Sequence, residues 1–184
     1  MNSKILTVLT HLELLKKTEE YWNVDWNSGQ FLHQLVLAKQ PHTILEIGTS
    51  TGFSALWMAS ALPASGKLIT IDVSESRHTI AKAAFAESGL TNIRAMLGHA
   101  PEVFVDLKNK RFDLIFIDCA KNYYLEFFHY LEPQMNPGCL VVADNMVSHG
   151  EYMSEYFAYI RGDTARFVST LVPIGSGMEM TTVI

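Results

Sequence analysis

The chain has 184 residues, 48% of them apolar and 18% charged, and a formal net charge of −5. That size suits one domain, residues 1–184, around a single core. The acidic balance without a basic block argues against nucleic acid as a partner, and no apolar run is long enough to cross a bilayer.

Ile5, Val8, Leu12 and Leu15 recur at helical spacing, with Lys16, Lys17, Glu19 and Glu20 following. This predicts a short amphipathic helix, part of a helical extension over 1–26 that packs on the body or on a second copy. Its mixed charge speaks against a membrane-surface role, so no membrane partner is expected. A second helix starts near Ser28, carries Phe31, Leu32, Leu35 and Val36, and ends at Pro41. From there strand-like runs alternate with helical ones. The strands are HTILEIG, KLITID, NIRAML, FDLIFID and GCLVVAD, and the helices fall at about 53–62, 75–88, 101–109 and 121–132. Ser74 can cap the second of these four helices and Gly89 can end it. Pro101 suits the first position of the third. Pro133, Pro137 and Gly138 break the chain before the fifth strand.

Strands apolar on both faces, alternating with helices, indicate an α/β domain with a parallel sheet covered on both sides. The end differs. RFVSTLVPI and GMEMTTVI flank Gly175 and Ser176 with no helix between them. That is a hairpin, so the last strand should run antiparallel. The two cysteines, Cys119 and Cys139, are too few for a disulfide scaffold and read as thiols in a reducing compartment. No basic stretch followed by an apolar block opens the chain, so no signal peptide is read and the cytoplasm is the expected location.

LEIGTSTGFS joins the first core strand to a helix. Gly48 and Gly52 allow a tight turn and close approach of a ligand, and the helix start offers free N–H groups to an anionic group. The spacing is not the G-x-G-x-x-G of a dinucleotide site, nor is there a G-K-[ST] phosphate loop. Glu46, just before the turn, would repel a pyrophosphate but suits a ligand with positive charge. Asp72 ends the second strand, where a carboxylate can accept both hydroxyls of a ribose. Each acid alone could equally be a solvated strand end or a cap; together with the glycine turn they favour a ribose-bearing ligand.

These residues, Glu46-Ile47-Gly48-Thr49-Ser50-Thr51-Gly52-Phe53-Ser54 with Asp72, FIDCAK and VVADN, resemble the small cation-dependent O-methyltransferases, relatives of the catechol and caffeoyl-coenzyme A enzymes. The resemblance runs from about residue 27 to the C-terminus. It implies a Rossmann-like seven-stranded sheet with an antiparallel last strand, and S-adenosylmethionine as methyl donor. It further implies a donor site built from Glu46, Gly48, Thr49, Ser50, Gly52, Ser54, Asp72, Val73, Gly98, His99, Ala100 and Asp118. In that site Ser54 meets the carboxylate end, Glu46 lies near the methionine portion and Asp72 holds the ribose. His99 stands where the family usually carries an acid beside the adenine; a partly exposed loop histidine is the plainer reading.

In a parallel sheet, ligands gather at the carboxyl ends of the strands. Asp118 ends the fourth strand, and Asp144 and Asn145 end the fifth. If those strands are neighbours, the carboxylates repel and one pKa rises, a conflict that a divalent cation removes. Oxygen-only ligands suit a hard ion such as Mg²⁺. Cys119 should point to the opposite strand face and is not counted as a ligand. Lys121, three residues after Asp118, could overlie the same pocket; a nearby cation would disfavour its charged form and make it a base. The family pattern gives a lysine at this spacing the substrate proton. His149 could assist as a base or bind the acceptor.

The implied reaction is in-line displacement at a sulfonium methyl, with a small hydroxylated acceptor as partner. In better-known family members a longer segment after the acidic pair helps form the acceptor pocket. Here DNMVSHGEYMSEYFAYI is short, and SH followed closely by Glu resembles a short bacterial branch. The family often forms dimers, and the first helix offers a contact for a second copy. Tyr124 and Phe128 fit a core-facing stripe, whereas Tyr123 faces the pocket or a partner. Two further readings share this sheet: a nucleoside-binding protein without catalysis, and an NAD-linked oxidoreductase, against which the Gly48–Gly52 spacing counts.

Overall fold

The computed structural model describes residues 1–19 and 21–184. Glu20, read above as part of the charged end of the first helix, lies outside the described residues. In chain order the elements are α1 (Ser3–Thr18), α2 (Trp26–Lys39), β1 (Thr43–Ile47), α3 (Phe53–Ala59), β2 (Lys67–Asp72), α4 (Glu75–Ser88), β3 (Ile93–Leu97), α5 (Ala100–Phe104), β4 (Phe112–Ile117), α6 (Tyr124–Leu131), β5 (Met135–Ala143), α7 (Ser154–Gly162), β6 (Phe167–Val172) and β7 (Met178–Val183). Among the described residues no helix is long and apolar enough to cross a membrane.

The strands form one seven-stranded sheet in the order β3-β2-β1-β4-β5-β7-β6. Strands β1 to β5 pair in parallel. β7 runs antiparallel to both β5 and β6, so six strands share one direction and β7 alone opposes them. This is the sheet expected from the alternating pattern and the terminal hairpin.

Strand periodicity divides the core in two. Ile44, Leu114, Phe116, Leu140 and Val142 face one side and pack with α1 to α4. Leu45, Ile47, Ile115, Ile117, Val141 and Ala143 face the other and pack with α5 to α7. Helix α1 contributes Ile5, Val8, Leu9 and Leu12 to the first of these cores, so it packs on the body.

Several boundaries differ from those read in the sequence. α2 begins two residues before Ser28, because the Asp25 carboxylate accepts the Ser28 N–H at 2.8 Å and caps the helix earlier. β5 begins at Met135 and runs through Pro137 and Gly138 instead of starting after them. A register shift against β4 between Phe112 and Leu114 absorbs the irregular residues, and Gly138 takes a left-handed φ of 75°. α5 is a short turn of helix followed by a 3-10 turn over Val105–Leu107. α6 is preceded by a 3-10 turn at Lys121–Tyr123.

Glu179 of β7 is fully buried and receives a forked pair from Arg161 of α7, Nε to Oε1 at 2.8 Å and Nη2 to Oε2 at 2.6 Å. Ser169 donates to the same carboxylate at 2.7 Å. Removing one member of such a pair strands a buried charge. Arg161→Met is expected to destabilise the fold by about 3 kcal/mol, the low end for a buried pair because Arg161 is partly exposed. Urea denaturation at neutral pH checks this; an unchanged midpoint would show that Glu179 is satisfied without the guanidinium.

Candidate active site

The turn after β1 is fastened to β2 by Gly48 N–H and Thr49 N–H, both donating to Ile71 O, at 2.9 and 3.2 Å. Gly48 has φ 107°, and a Cβ there would fall 1.8 Å from the carbonyl oxygen of Asp118. Gly52, at φ 89°, lies against the Phe85 ring of α4, where a Cβ would come within 2.6 Å. Both glycines therefore serve close packing of the chain on itself, beyond any approach to a ligand. Ser50 also adopts a left-handed φ, 46°, which turns its N–H to Asp72 Oδ2 at 2.8 Å.

Asp72 is buried at the end of β2. Its Oδ1 accepts from Ser74 N–H at 2.8 Å and from Arg77 Nη2 at 3.0 Å. The Arg77 guanidinium in turn stands 5.7 Å from the Trp22 ring centroid. Glu46 lies beneath the turn, fully buried, accepting hydrogen bonds from Ser54 and Thr70. Burial raises its pKa to about 8, with the charges of Asp118 and Asp72 pushing in the same direction and the two hydroxyl donors pulling back.

β4 and β5 are neighbours, which brings Asp118, Asp144 and Asn145 together. Asp118 N–H donates to Ile47 O at 2.9 Å and Asp144 N–H to Ile117 O at 3.0 Å, so each acid sits one residue beyond a paired strand. Asn145, at φ 69°, turns its Nδ2 to Asp118 Oδ1 at 2.8 Å. Ser176 Oγ donates to Asp144 Oδ1 at 2.7 Å. Burial raises the pKa of Asp118 to about 6, the charge of Asp144 adds to this, and Lys121 opposes it. Burial raises Asp144 as well. Lys121 Nζ donates to Cys119 O at 2.8 Å and lies 3.4 Å from Asp118 Oδ1. Tyr124 Oη, buried beside it, donates to Asp144 O at 3.2 Å.

A cavity of about 890 Å³ joins these two clusters. Of the residues singled out in the sequence, Gly48, Ser50, Asp72, Val73, Gly98, His99, Ala100, Asp118, Lys121, Asp144, Asn145 and His149 line it. Glu46, Thr49, Gly52 and Ser54 stand behind the wall instead: Glu46 and Ser54 bond each other, Thr49 bonds Thr70, and Gly52 packs on Phe85. Strand alternation stops at Ile117, and Cys119, beyond it, joins the cavity wall. Burial pushes its thiol up to about 12. Tyr123 also lines the cavity, stacked on Phe127 at 5.4 Å and edge-on to His99 at 5.9 Å.

Sequence reading missed the strap Tyr21 to Asp25, which forms part of the wall. Asn23 holds it to the glycine turn, its Nδ2 donating to Thr51 Oγ1 at 2.8 Å, and Lys16 Nζ donates to Val24 O at 3.3 Å. No periodicity marks so short a segment. Arg77 was missed too, although its place five residues after Asp72, in the first turn of a helix, is a local signal. Ser176 was read only as a turn residue.

The acidic pair offers hard oxygen donors whose ionisation is disfavoured by burial, the environment that a divalent cation relieves. Among the described residues no cluster of three or more His, Cys, Asp or Glu forms a metal site. The set is instead two carboxylates and an amide, and Asn145 would supply its oxygen by turning the amide it now points at Asp118. The residues fit a cation on those terms.

A parallel sheet with β7 inserted antiparallel, and a cavity with one carboxylate at the end of β2 and two beyond β4 and β5, define a ligand-sized site at the carboxyl ends of a Rossmann-like sheet. The O-methyltransferase family model matches residues 2–178, and the chain belongs to that family. A catechol O-methyltransferase of Niastella koreensis is 36% identical over 137 residues, 72% of this chain and 62% of that protein; the match thus spans about three fifths of that relative. An O-methyltransferase of Bacillus cereus, solved in complex with SAH, has a TM-score of 0.87 at 25% identity, covering 100% of this chain and 92% of that one. The O-methyltransferase TomG of Streptomyces achromogenes, involved in tomaymycin synthesis and solved with SAM, has a TM-score of 0.87 at 25% identity over 100% of this chain and 90% of its own.

The raised Glu46 carboxyl has a consequence for stability. Its folded pKa, about 8, lies above the ordinary 4.5 of the unfolded chain. Its stabilising contribution is fully present below the unfolded value and is lost as pH rises through the folded one. Between about pH 6.5 and 8, above the Asp118 transition, unfolding free energy should fall by up to about 1.4 kcal/mol per pH unit, and Glu46→Gln should flatten that slope. Urea unfolding of both proteins across this range is the check; parallel slopes would place the titration elsewhere.

Proposed function

We propose that this chain is an S-adenosylmethionine-dependent O-methyltransferase that methylates a hydroxyl of a small molecule, with a divalent cation, Mg²⁺ by its donor set, at Asp118, Asp144 and Asn145. In this reading residues 1–184 act as one domain, with α1 and the strap completing the site. The observation that carries it is the buried pair Asp118 and Asp144, with Lys121, on the wall of the cavity that also holds Asp72. The SAH and SAM complexes of the two similar enzymes support the donor.

Each part of the wall then has a task. Asp72, fixed by Ser50 and Ser74 N–H groups, accepts ribose hydroxyls. Gly98, His99 and Tyr123 border the base. Asp118, Asp144 and Asn145 would hold the cation, and Lys121 Nζ would take the proton of the acceptor hydroxyl, with His149 on the same wall. When bound, the donor supplies an already activated methyl, and the cation supplies charge that favours the ionised acceptor oxygen. The strap and Tyr123 belong to the same wall; holding an acceptor oxygen and the methyl in line there would remove on the order of 7–11 kcal/mol of barrier at most.

Calorimetry with S-adenosylmethionine and with NAD, followed by methyl transfer to a catechol panel with and without Mg²⁺, tests this. S-adenosylmethionine should bind and NAD should not; tight binding of NAD alone would refute the donor. Lys121→Met should lower kcat by about 10²–10⁴ with donor binding retained. If Asp144→Ala and chelator treatment both leave turnover intact, the cation has no part in it.

A further inference from the structure

β7 is the only strand of the sheet that runs against the others, and this reversal has a local effect. Ala143, the last residue of β5, pairs with Glu179 near the start of β7. The turn that precedes β7 is therefore delivered to the carboxyl end of β5, beside Asp144. A parallel strand in that position would present its exit there instead of its entry.

The turn is fastened to the segment after Asp144 at several points. Met146 N–H donates to Gly177 O at 2.9 Å, and Val147 and Ser148 N–H groups both donate to Ser176 O, at 2.9 and 3.2 Å. Gly177, at φ 86°, leaves no room for a side chain, since a Cβ would meet Val147 at 2.4 Å. On its other flank Gly175, at φ 56°, lies where a Cβ would fall 2.3 Å from Ser28 Oγ and 2.6 Å from Asp25 Oδ2. The turn is wedged between the start of α2 and the loop after β5. From that fixed backbone Ser176 Oγ reaches Asp144 Oδ1 at 2.7 Å.

We propose that Ser176 is a positioning residue for the cation site: carried by the turn before β7, its hydroxyl fixes the rotamer of Asp144 on the cavity wall that it shares with Asp118. This rests on the cation reading above. Asp144 is buried, and the Ser176 hydroxyl is a side-chain donor to its Oδ1, a bond that holds the carboxylate in one direction. A partner that orients a metal ligand in this way is worth about 10-fold or more in metal affinity.

The test is calorimetric titration of the full chain with MgCl₂, beside titration with S-adenosylmethionine. Ser176→Ala should weaken Mg²⁺ binding about 10-fold with donor affinity and melting temperature close to the parent, and Ser176→Thr, which keeps the hydroxyl, should restore it. In assays of methyl transfer the apparent KM for Mg²⁺ should rise in Ser176→Ala, and kcat at saturating Mg²⁺ should be retained. Equal Mg²⁺ affinity in parent and Ser176→Ala, or equal loss in the alanine and threonine variants, would overturn the proposal while leaving the cation reading intact. Absence of Mg²⁺ binding in the parent itself would overturn both.

Discussion

The backbone of Gly48 lies against the carbonyl of Asp118, with space for a hydrogen but not for a methyl group. Parallel pairing of β1 with β4 brings the two residues to the same level at the carboxyl end of the sheet. The contact joins the turn beside Asp72 to the strand end that bears the acidic pair. Everything else in the cavity is placed relative to it. Ser50 turns its N–H to Asp72 on one side, and on the other Asn145 reaches back from β5 to the Asp118 carboxylate. A side chain at residue 48 would separate these two clusters and alter the distance between any ligands they hold.

Crowding at this end gathers acids that would be costly to bury singly. Glu46, Asp72 and Asp144 are buried and Asp118 largely so. The chain deals with each differently. Asp72 takes backbone N–H groups and a guanidinium. Glu46 takes two hydroxyls, and burial raises its pKa under the turn. Asp118 and Asp144 share one nearby ammonium, an amide and a serine hydroxyl. This last pair lies on the cavity wall with the Lys121 ammonium beside it. The uneven distribution of partners separates Glu46, packed under the turn, from the pair on the cavity wall.

Much of the fold was legible because it depends on local pattern. The two-sided apolar runs of β1, β2, β4 and β5 could be read, as could the cap at Ser74, the left-handed end at Gly89 and the hairpin around Gly175 and Ser176. Each rests on contacts within a few residues or on burial that a run of Ile, Val and Leu reports directly. The start of β5 was misread because Pro137 and Gly138 usually end strands, and only the pairing with β4 shows that a register shift accommodates them. Cys119 lies just past the end of β4, where strand alternation no longer says which way a side chain points.

The candidate site divides along the same line. By itself the sequence determined which chemical groups end the strands: a glycine turn after β1, a carboxylate after β2, Asp118 with Lys121 after β4, and Asp144 with Asn145 after β5. Their spacing from the strands is covalent and leaves little freedom. Only the tertiary structure decided which of them share a wall. It set Glu46 and Ser54 behind the turn and brought the non-periodic strap Tyr21 to Asp25 into the cavity wall. It also carried Ser176 to Asp144 across 32 residues of chain. These placements come from sheet order and from the reversed direction of β7, long-range facts with no counterpart in local spacing.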